Sequence, residues 1–203
     1  AMGYAACQNA SDEEPPQGNV GAGKGVTVGK WAGFDGIMKG GFGAAALAIE
    51  ADSGADENVL LWAAAVTNSV GDVLAADGAV LAGARSPTGG WMVEQDPLRR
   101  FPAAPPTQPG TNTTLIVVVT NARLDKVQAN RLAQRAHDGL AIAVRPAHTS
   151  RDGDTAFALA TGQIETPFDL VANSAVEVVV EAIRNSVRAA TTVGGIPGLA
   201  SSR

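Results

Sequence analysis

The stretch Thr111-Asn112-Thr113-Thr114-Leu115-Ile116-Val117-Val118-Val119-Thr120 places a threonine pair at the mouth of a strongly apolar strand. A proline- and glycine-rich segment, residues 101–110, leads into it. A protein that cuts its own chain before a threonine needs an irregular segment of this kind ahead of the strand. The freed α-amino group, with an ordinary pKa of about 7.7–8.0, would serve as general base for the hydroxyl of the same residue. The stretch therefore predicts a buried strand that begins at an N-terminal nucleophile.

Composition describes a globular protein and argues against two classes of partner. Of the 203 residues, 45% are hydrophobic and 17% are charged, which is enough chain for one full core. A net charge of −5 without a block of Lys or Arg argues against a nucleic-acid partner. No apolar run reaches the roughly 20 residues that a membrane-spanning helix needs, so we expect no membrane partner.

The beginning of the chain carries its single cysteine, Cys7. One cysteine forms no internal disulfide and no zinc cluster, which fits a cytoplasmic protein. Since Cys7 has no catalytic context, we interpret it as a small core residue. Residues 1–7 resemble the middle of a helix, with neither a capping signal nor a targeting sequence before them. We therefore expect an upstream piece to precede this chain.

Hydrophobic runs and periodicity predict an α/β fold. Buried strands are predicted at residues 44–50, 59–66, 115–120 and 156–160, and a hairpin at residues 72–75 and 79–81 with Asp77-Gly78 as its turn. One helix is predicted from Lys126 to about Ala143 with Asp125 as its cap, and a second over residues 170–190. Strands followed by helices indicate helices packed over stacked sheets.

Each predicted helix has one apolar face. The first face carries Val127, Leu132, Ala133, Ala136 and Leu140, and the second carries Val171, Ala175, Val178, Val179, Ala182, Ile183 and Val187. Residues 191–203, punctuated by Gly, Ser and Pro, are predicted to form a loose tail. The proline-rich residues 86–112 form a long linker, and connections of that length are usually functional or disordered.

Two carboxylates flank a glycine in Asp152-Gly153-Asp154, just before a predicted strand. Like charges this close raise the pKa of one group unless cations or amides compensate, and such a pair can orient an ammonium or relay a proton. The alternative is a polar turn, since Asp-Gly pairs are common in turns. A calcium loop lacks its further oxygen ligands here. His148, a few residues earlier, is a candidate catalytic group without a recognisable triad spacing, whereas His137 is expected at a surface or interface.

Residues 18–25 match the first part of a phosphate-binding loop, G-x-x-x-x-G-K. The match fails at Gly25, where a Ser or Thr would hold magnesium, and no apolar strand precedes the loop. The glycines are better explained by backbone segments that pack closely. A nucleotide-binding module therefore stays a remote alternative.

Asn68 and Lys30 are the remaining candidates. Asn68 follows a predicted strand, and a side-chain amide at such an end can donate to an oxyanion. An Asx turn leading to Gly71 is the simpler interpretation of Asn68. Lys30 lies beside Trp31, where a solvated lysine with a packed stem is the simpler interpretation.

Taken in order, these segments resemble one family. They are residues 18–30, 39–43, 66–72, 112–114, 145–149 and 152–155. The set resembles the DmpA-type aminopeptidases, which comprise the L-aminopeptidase/D-Ala-esterase/amidases, the β-peptidyl aminopeptidases and the nylon-oligomer hydrolases. The resemblance extends from about residue 1 to about residue 164.

The resemblance implies a precursor that cleaves itself between Asn112 and Thr113. Residues 1–112 would be the C-terminal part of an α chain that ends in the linker 86–112. Residues 113–203 would be a β chain, and the two would form one structural domain. The implied fold is a four-layer α/β/β/α sandwich, with its N-terminal part missing here. The implied assembly is a homo-oligomer of αβ units, a tetramer or larger, that acts on small peptides or amides.

The resemblance also assigns site residues. Thr113 would be the nucleophile, with its freed amine as base. Lys30 would support Thr113 electrostatically, Asn68 would contribute to the oxyanion hole, and Asp152 and Asp154 would orient the amine and hydroxyl. No metal and no cofactor are implied.

Two departures qualify the resemblance. Many family members use serine, and the threonine here resembles the nylon-oligomer hydrolase branch, so hydrolysis of 6-aminohexanoate oligomers is an alternative activity. The family's active-site tyrosine lies upstream of this chain, and Tyr4 does not correspond to it.

Overall fold

The structure, a computed structural model, describes residues 2–50, 58–92 and 112–200. The helices are α1 (Met2–Gln8), α2 (Lys126–Ala143) and α3 (Phe168–Arg188). The strands are β1 (Thr27–Val28), β2 (Met38–Lys39), β3 (Gly41–Ile49), β4 (Val59–Thr67), β5 (Asp72–Leu74), β6 (Val80–Ala82), β7 (Leu115–Ala122), β8 (Val144–Arg145) and β9 (Thr155–Ile164). The mixed content confirms the predicted α/β class.

A central four-stranded sheet has the order β3-β4-β7-β9. β4 is antiparallel to both β3 and β7, whereas β7 and β9 are parallel. Leu115 is paired with Val66 on one side and with Thr155 on the other. The residues that come after β4 therefore lie at the same end of the sheet as those that precede β7 and β9.

The predicted hairpin is present in a second, three-stranded sheet of order β6-β5-β8. Its turn follows from local chemistry. The Asp77 carboxylate accepts the amide of Ala79 at 3.0 Å, and Gly78 has a positive φ of 83°, which glycine adopts without a Cβ clash.

Helix α2 begins where the sequence predicts. The Asp125 side chain accepts the Gln128 amide at 2.7 Å, and the Gln128 side chain accepts the Asp125 amide at 2.9 Å. This reciprocal pair is a capping box, which satisfies two amides that the first helical turn leaves open. The predicted face is correct for Leu132, Ala136 and Leu140, which are fully buried, but wrong for Val127, which is 68% exposed. Val127 lies in the first turn, beyond the part of the helix that rests on the sheet core.

Helix α3 buries its whole predicted apolar face. It packs against β3 and β4, and Gly43 allows the close approach, since a Cβ there would lie 2.1 Å from the Ala182 carbonyl oxygen. A side chain at this position would separate helix and strand. Helices α2 and α3 thus form one layer over one face of the sheet. None of the helices in the described ranges is long and apolar enough to cross a membrane.

The opposite face of the sheet is largely uncovered. Leu60, Phe157 and Leu159 point to this side and are 51%, 55% and 53% exposed. The prediction of a buried strand at residues 156–160 is therefore wrong, because β9 lies at the sheet edge and its outward side chains meet no second layer within the described ranges. Of the four layers that the resemblance implies, the described residues form one helical layer and the sheet beneath it.

Two predictions about the chain ends are also wrong. Cys7 is exposed, because α1 buries none of its residues. The tail is ordered through residue 200: the Ala200 amide donates to the Ala190 carbonyl at 2.9 Å, and the Pro197 carbonyl accepts the Lys39 amide at 2.8 Å. Most of the predicted linker, residues 93–111, lies outside the described residues.

Candidate active site

One end of the central sheet collects all five predicted site residues. Asn68 follows β4, Thr113 precedes β7, and Asp152 and Asp154 precede β9. Lys30 arrives on a short 3₁₀ turn, residues 30–32, and reaches Asn68. Parallel and antiparallel pairing in one sheet thus brings together residues that are far apart in sequence.

Thr113 lies with its hydroxyl against the peptide bond that precedes it. Its Oγ1 donates to the Asn112 carbonyl oxygen at 2.7 Å, and its amide donates to the Asn68 carbonyl at 3.1 Å. Asn112 is 1% exposed and forms a parallel bridge with Asp152. The residues on both sides of the Asn112–Thr113 bond are therefore fixed by backbone pairing.

Gly153 completes the surroundings of this peptide bond. Its amide donates to the Asn112 carbonyl at 2.8 Å. A Cβ at Gly153 would lie 2.9 Å from Thr113 Oγ1, so the missing side chain makes room for the hydroxyl. The Asn112 carbonyl thus receives two donors, which polarise it as an oxyanion hole polarises a substrate carbonyl.

Lys30 and Asn68 form a second polar group beside Thr113. The Lys30 ammonium donates to the Asn68 side-chain oxygen at 2.7 Å and to the Asn68 carbonyl at 3.1 Å. The Thr27 amide donates to the same side-chain oxygen at 3.1 Å. The Asn68 side-chain oxygen therefore accepts two donors, one from the Lys30 side chain and one from the Thr27 backbone.

The charge on Lys30 is held in a buried position. Its side chain is 6% exposed, and burial lowers the pKa of the ammonium to about 8, while the nearby Asp152 raises it in part. Lys30 therefore stays mainly cationic at neutral pH in a place where a positive charge acts strongly.

Asp152 accepts hydrogen bonds from two segments of the chain. Its Oδ1 accepts the Val70 amide at 3.1 Å, and its Oδ2 accepts the Thr149 amide at 3.0 Å and the Thr149 hydroxyl at 2.6 Å. The carboxylate joins the segment after β4 to the loop before β9. Its charge also acts on Lys30.

Asp154 binds Thr114, the residue next to Thr113. Its Oδ1 accepts the Thr114 amide at 2.8 Å, and its Oδ2 lies 3.0 Å from His148 Nδ1. Burial is the main cause that raises the pKa of Asp154, and the Asp152 charge adds to it. The Thr114 amide, the His148 charge and the His148 backbone lower it.

The structure favours close packing over phosphate binding for residues 18–25. They contain a three-residue 3₁₀ turn, Gly21–Gly23, and lead into β1 instead of opening a helix. A Cβ at Gly23 would lie 2.2 Å from the Phe42 nitrogen, as expected of glycines that allow close packing. In the described ranges, no three His, Cys, Asp or Glu side chains form a group that could hold a metal ion.

Three contributors to the site are not evident from the sequence. Gly153 looks there like part of an ordinary turn, Thr149 carries no distinguishing pattern, and Asp72 looks like a strand residue. Asp72 is 1% exposed and accepts Trp31 Nε1 at 2.9 Å and the Ala84 amide at 2.8 Å on one oxygen. The signal that could have found it is a carboxylate inside a predicted strand, which is rarely buried without a purpose.

The fold that positions this threonine at the start of a buried strand is similar to that of two solved structures. The structure of L-aminopeptidase/D-Ala-esterase/amidase from Ochrobactrum anthropi, described as a variant of the N-terminal-nucleophile hydrolase fold, superposes with a TM-score of 0.66 over 96% of this chain and 50% of that one, at 23% identity. The Burkholderia sp. beta-aminopeptidase superposes with a TM-score of 0.67 over 97% and 54%, at 25% identity.

The sequence model of peptidase family S58 matches residues 1–200, and the chain belongs to that family. An uncharacterized aminopeptidase of Mycobacterium leprae is 36% identical over 184 residues, which cover 81% of this chain and 44% of that protein. The 6-aminohexanoate-oligomer endohydrolase of Agromyces sp. is 33% identical over 172 residues, covering 82% and 46%. The chain thus spans about half the length of the relatives it matches.

Proposed function

We propose that this chain is part of a self-processing amide hydrolase that cleaves the Asn112–Thr113 bond and then uses Thr113 as its nucleophile. Residues 1–112 would become the end of an α chain and residues 113–203 a β chain, folded together as one domain. The observation that carries the proposal is the Thr113 hydroxyl, 2.7 Å from a carbonyl oxygen that also accepts the Gly153 amide.

That geometry supports self-cleavage. Thr113 Oγ1 would attack the Asn112 carbonyl carbon while its proton passes, by way of a water molecule, towards the Thr113 nitrogen, and the Gly153 amide would stabilise the oxyanion that forms. The C–N bond then breaks as the nitrogen takes up that same proton, and Asn112 is left as an ester on Thr113. Water hydrolyses the ester, which yields an Asn112 carboxylate, a free hydroxyl and a free α-amine.

Amide hydrolysis reuses the same groups. The freed Thr113 amine takes the hydroxyl proton while the oxygen attacks the substrate carbonyl, and the amine then protonates the leaving nitrogen. Water, deprotonated by the same amine, then cleaves the acyl ester, which releases the acid and restores the Thr113 hydroxyl. Lys30 supplies a buried positive charge, and the Asn68 amide supplies an oxyanion donor. Asp154 holds the backbone of Thr114 and, with Asp152, sets the negative field that favours an ammonium at Thr113.

The substrate class we favour is a small peptide or amide with a free amino end. The aminopeptidase relative, 36% identical, supports this class. Hydrolysis of 6-aminohexanoate oligomers is the second candidate, favoured by the threonine nucleophile and by the 33% identical endohydrolase. Turnover of aminoacyl p-nitroanilides compared with 6-aminohexanoate oligomers separates the two.

Two further expectations accompany the proposal. We propose a cytoplasmic enzyme, which the lone cysteine supports because the chain needs no disulfide. We also propose a homo-oligomer of αβ units, a tetramer or larger, to be checked by light scattering of the purified full natural chain.

The decisive experiment compares the full natural chain with its Thr113→Ala variant. Intact-mass and N-terminal analysis of the natural protein should give two pieces, the smaller beginning at Thr113. Thr113→Ala should stay uncleaved and lose amide hydrolysis, because it has neither the attacking oxygen nor a freed nucleophile. Thr113→Ser retains a hydroxyl and should still cleave. An uncleaved natural chain that hydrolyses amides would refute the mechanism.

A further inference from the structure

His148 contacts Asp154, but it has no role in the proposed steps of self-cleavage and amide hydrolysis. Its ring is 40% exposed, while the side chain of its partner Asp154 is only 4% exposed. Nδ1 lies 3.0 Å from Asp154 Oδ2, and the other Asp154 oxygen accepts the Thr114 amide at 2.8 Å. Both carboxylate oxygens are thus engaged, one by the nucleophile's neighbour and one by His148.

The backbone of His148 is unusual for a residue with a side chain. Its φ of 53° lies in the left-handed region, and among the described residues other than glycine it is the only one with a positive φ. Such conformations persist only where surrounding contacts hold them, and they are concentrated at functional sites. Here the conformation lets the His148 ring turn back towards Asp154.

His137 supports the ring from helix α2. The two imidazole centroids are 4.9 Å apart, with the ring planes tilted by 49°. Burial lowers the pKa of His137, and the His148 charge lowers it further, whereas Asp154 and Asp138 raise it. His137 therefore favours its neutral form and acts as a packing surface. The titratable groups in contact with His148 are Asp154, on the loop before β9, and His137, on α2. The charge of Asp152 acts on Asp154, and that of Asp138 acts on His137.

We infer that His148 is a positioning residue that fixes the orientation of the Asp154 carboxylate, and through it the Thr114 backbone and the Thr113 nucleophile. This inference rests on the proposed function, in which Thr113 reacts. The ring acts on Asp154 in two ways, through the contact of Nδ1 with Oδ2 at 3.0 Å and through the charge that lowers the pKa of Asp154. The first effect concerns orientation and the second concerns charge.

Two variants of the full natural chain distinguish these effects. His148→Gly adopts the left-handed backbone but lacks the ring. His148→Asn also tolerates that backbone, and its amide nitrogen can replace Nδ1 as donor without carrying a charge. Ser150→Ala, at an exposed position in the same turn, is the matched control.

We expect His148→Gly to lower kcat by about 10- to 100-fold, as loss of one hydrogen bond to a charged group does, with KM unchanged because His148 does not touch the substrate. His148→Asn should recover most of kcat. In both variants the acidic limb of the kcat/KM profile should move to higher pH, because the positive charge that lowers the pKa of Asp154 is gone. Ser150→Ala should behave as the natural protein.

Two results would overturn the inference. One is a His148→Gly protein with natural kcat and an unmoved pH profile. The other is a His148→Asn protein as slow as His148→Gly, which would show that the ring acts by packing and not through Nδ1.

A measurement that requires no catalytic activity tests this inference separately from the proposed function. In a Thr113→Ala background, proton NMR should show the Nδ1 proton of His148 protected from exchange with water, and Asp154→Ala should remove the protection. If the natural protein neither cleaves nor hydrolyses amides, the proposed function has failed, and this measurement alone decides the His148–Asp154 pair. An Nδ1 proton that exchanges equally fast with and without Asp154 rejects the pair.

Discussion

At the scale of single residues, Gly153 determines how close the nucleophile comes to the bond it is proposed to cut. Its amide binds the Asn112 carbonyl, and its bare Cα leaves space for Thr113 Oγ1. Both contributions come from the backbone, so no side chain in the sequence indicates them. A glycine between two carboxylates looks like an ordinary turn in sequence.

Gly153→Ala tests this arrangement. The added Cβ would lie 2.9 Å from Thr113 Oγ1 and 3.7 Å from the Asn112 oxygen, so the hydroxyl must rotate away. A displacement of this size can cost about 100-fold in rate. We expect self-cleavage, followed by gel electrophoresis after synthesis, to slow by about that factor. Gly25→Ala adds the same methyl group where nothing lies within 4 Å and should cleave normally. Equal rates in the two variants would contradict the role of Gly153.

The candidate site can be predicted from the sequence where side chains act, and not where the backbone acts. Thr113 stands out because two threonines precede an apolar strand, and Asp152 and Asp154 stand out as a close acidic pair. Asn68 and Lys30 each have a simpler interpretation, and only the resemblance assigns them roles. Their hydrogen bond, 2.7 Å long, depends on a turn and a strand end 38 residues apart, a separation that local patterns do not encode.

At the scale of elements, the turn that carries Lys30 is tied to the β5–β6 hairpin. Trp31 Nε1 and the Ala84 amide both bind one oxygen of Asp72, and the Trp31 amide donates to the Val70 carbonyl at 3.0 Å. The second Asp72 oxygen is buried without a hydrogen bond to any of the described residues. Burial raises the pKa of Asp72 to about 6, against the lowering effect of its two donors.

Asp72→Asn should therefore change how stability depends on pH. A carboxyl group whose pKa is raised on folding stabilises the fold most below its unfolded value of 3.8, and this contribution is lost as pH rises through about 6. Between pH 4 and pH 7, the free energy of unfolding of the natural protein should fall by about 2 kcal/mol relative to that of the Asp72→Asn variant. Urea unfolding in a Thr113→Ala background, where one intact chain unfolds, measures the difference.

A second variant checks the cause of that difference. Trp31→Phe removes a donor that lowers the pKa of Asp72, so the loss of stability should extend to higher pH. If the free energies of unfolding of the natural protein and the Asp72→Asn variant change with pH in parallel from pH 4 to pH 7, the Asp72 carboxyl does not titrate in the folded protein over this range.

Elements with their own local signals are predicted well. Asp125 and Gln128 fix the start of α2 within one turn, and the period of apolar residues in α3 identifies its buried face. The wrong predictions concern whether a side chain is covered by another part of the structure. Whether Val127 or Phe157 is covered depends on which layer packs over it, and an apolar residue looks the same in sequence in either case.

At the scale of the whole molecule, the sheet has one covered and one open face. The open face carries Leu60, Leu115, Phe157 and Leu159. A cleft of about 790 Å³ opens there between Trp62 and the acidic segment at residues 12–14, and none of the proposed site residues lines it. Apolar patches of this kind favour association or cover by another layer.

The 203-residue chain expressed alone should therefore bind the dye ANS and self-associate. Leu60→Thr combined with Phe157→Thr should reduce both, since threonine suits a strand but offers less apolar surface. Val127→Thr changes an exposed apolar residue on α2, on the other side of the sheet, and should have no such effect. Fluorescence and sedimentation velocity measure the outcomes, and a monomeric, dye-free natural sequence would contradict the expectation.

The order of strands in the central sheet would determine whether the two pieces of the proposed cleavage stay together. β3 and β4 would belong to one piece, while β7, β9 and both long helices would belong to the other. β4 stays paired with β7 along six residue pairs, and α3 of the second piece packs on both strands of the first. Under the proposed cleavage, neither piece could leave without exposing the strands and helix that its partner covers. Dilution would therefore not separate the two pieces, and a β piece would not exchange between molecules: each copy would keep the partner from which it was cut.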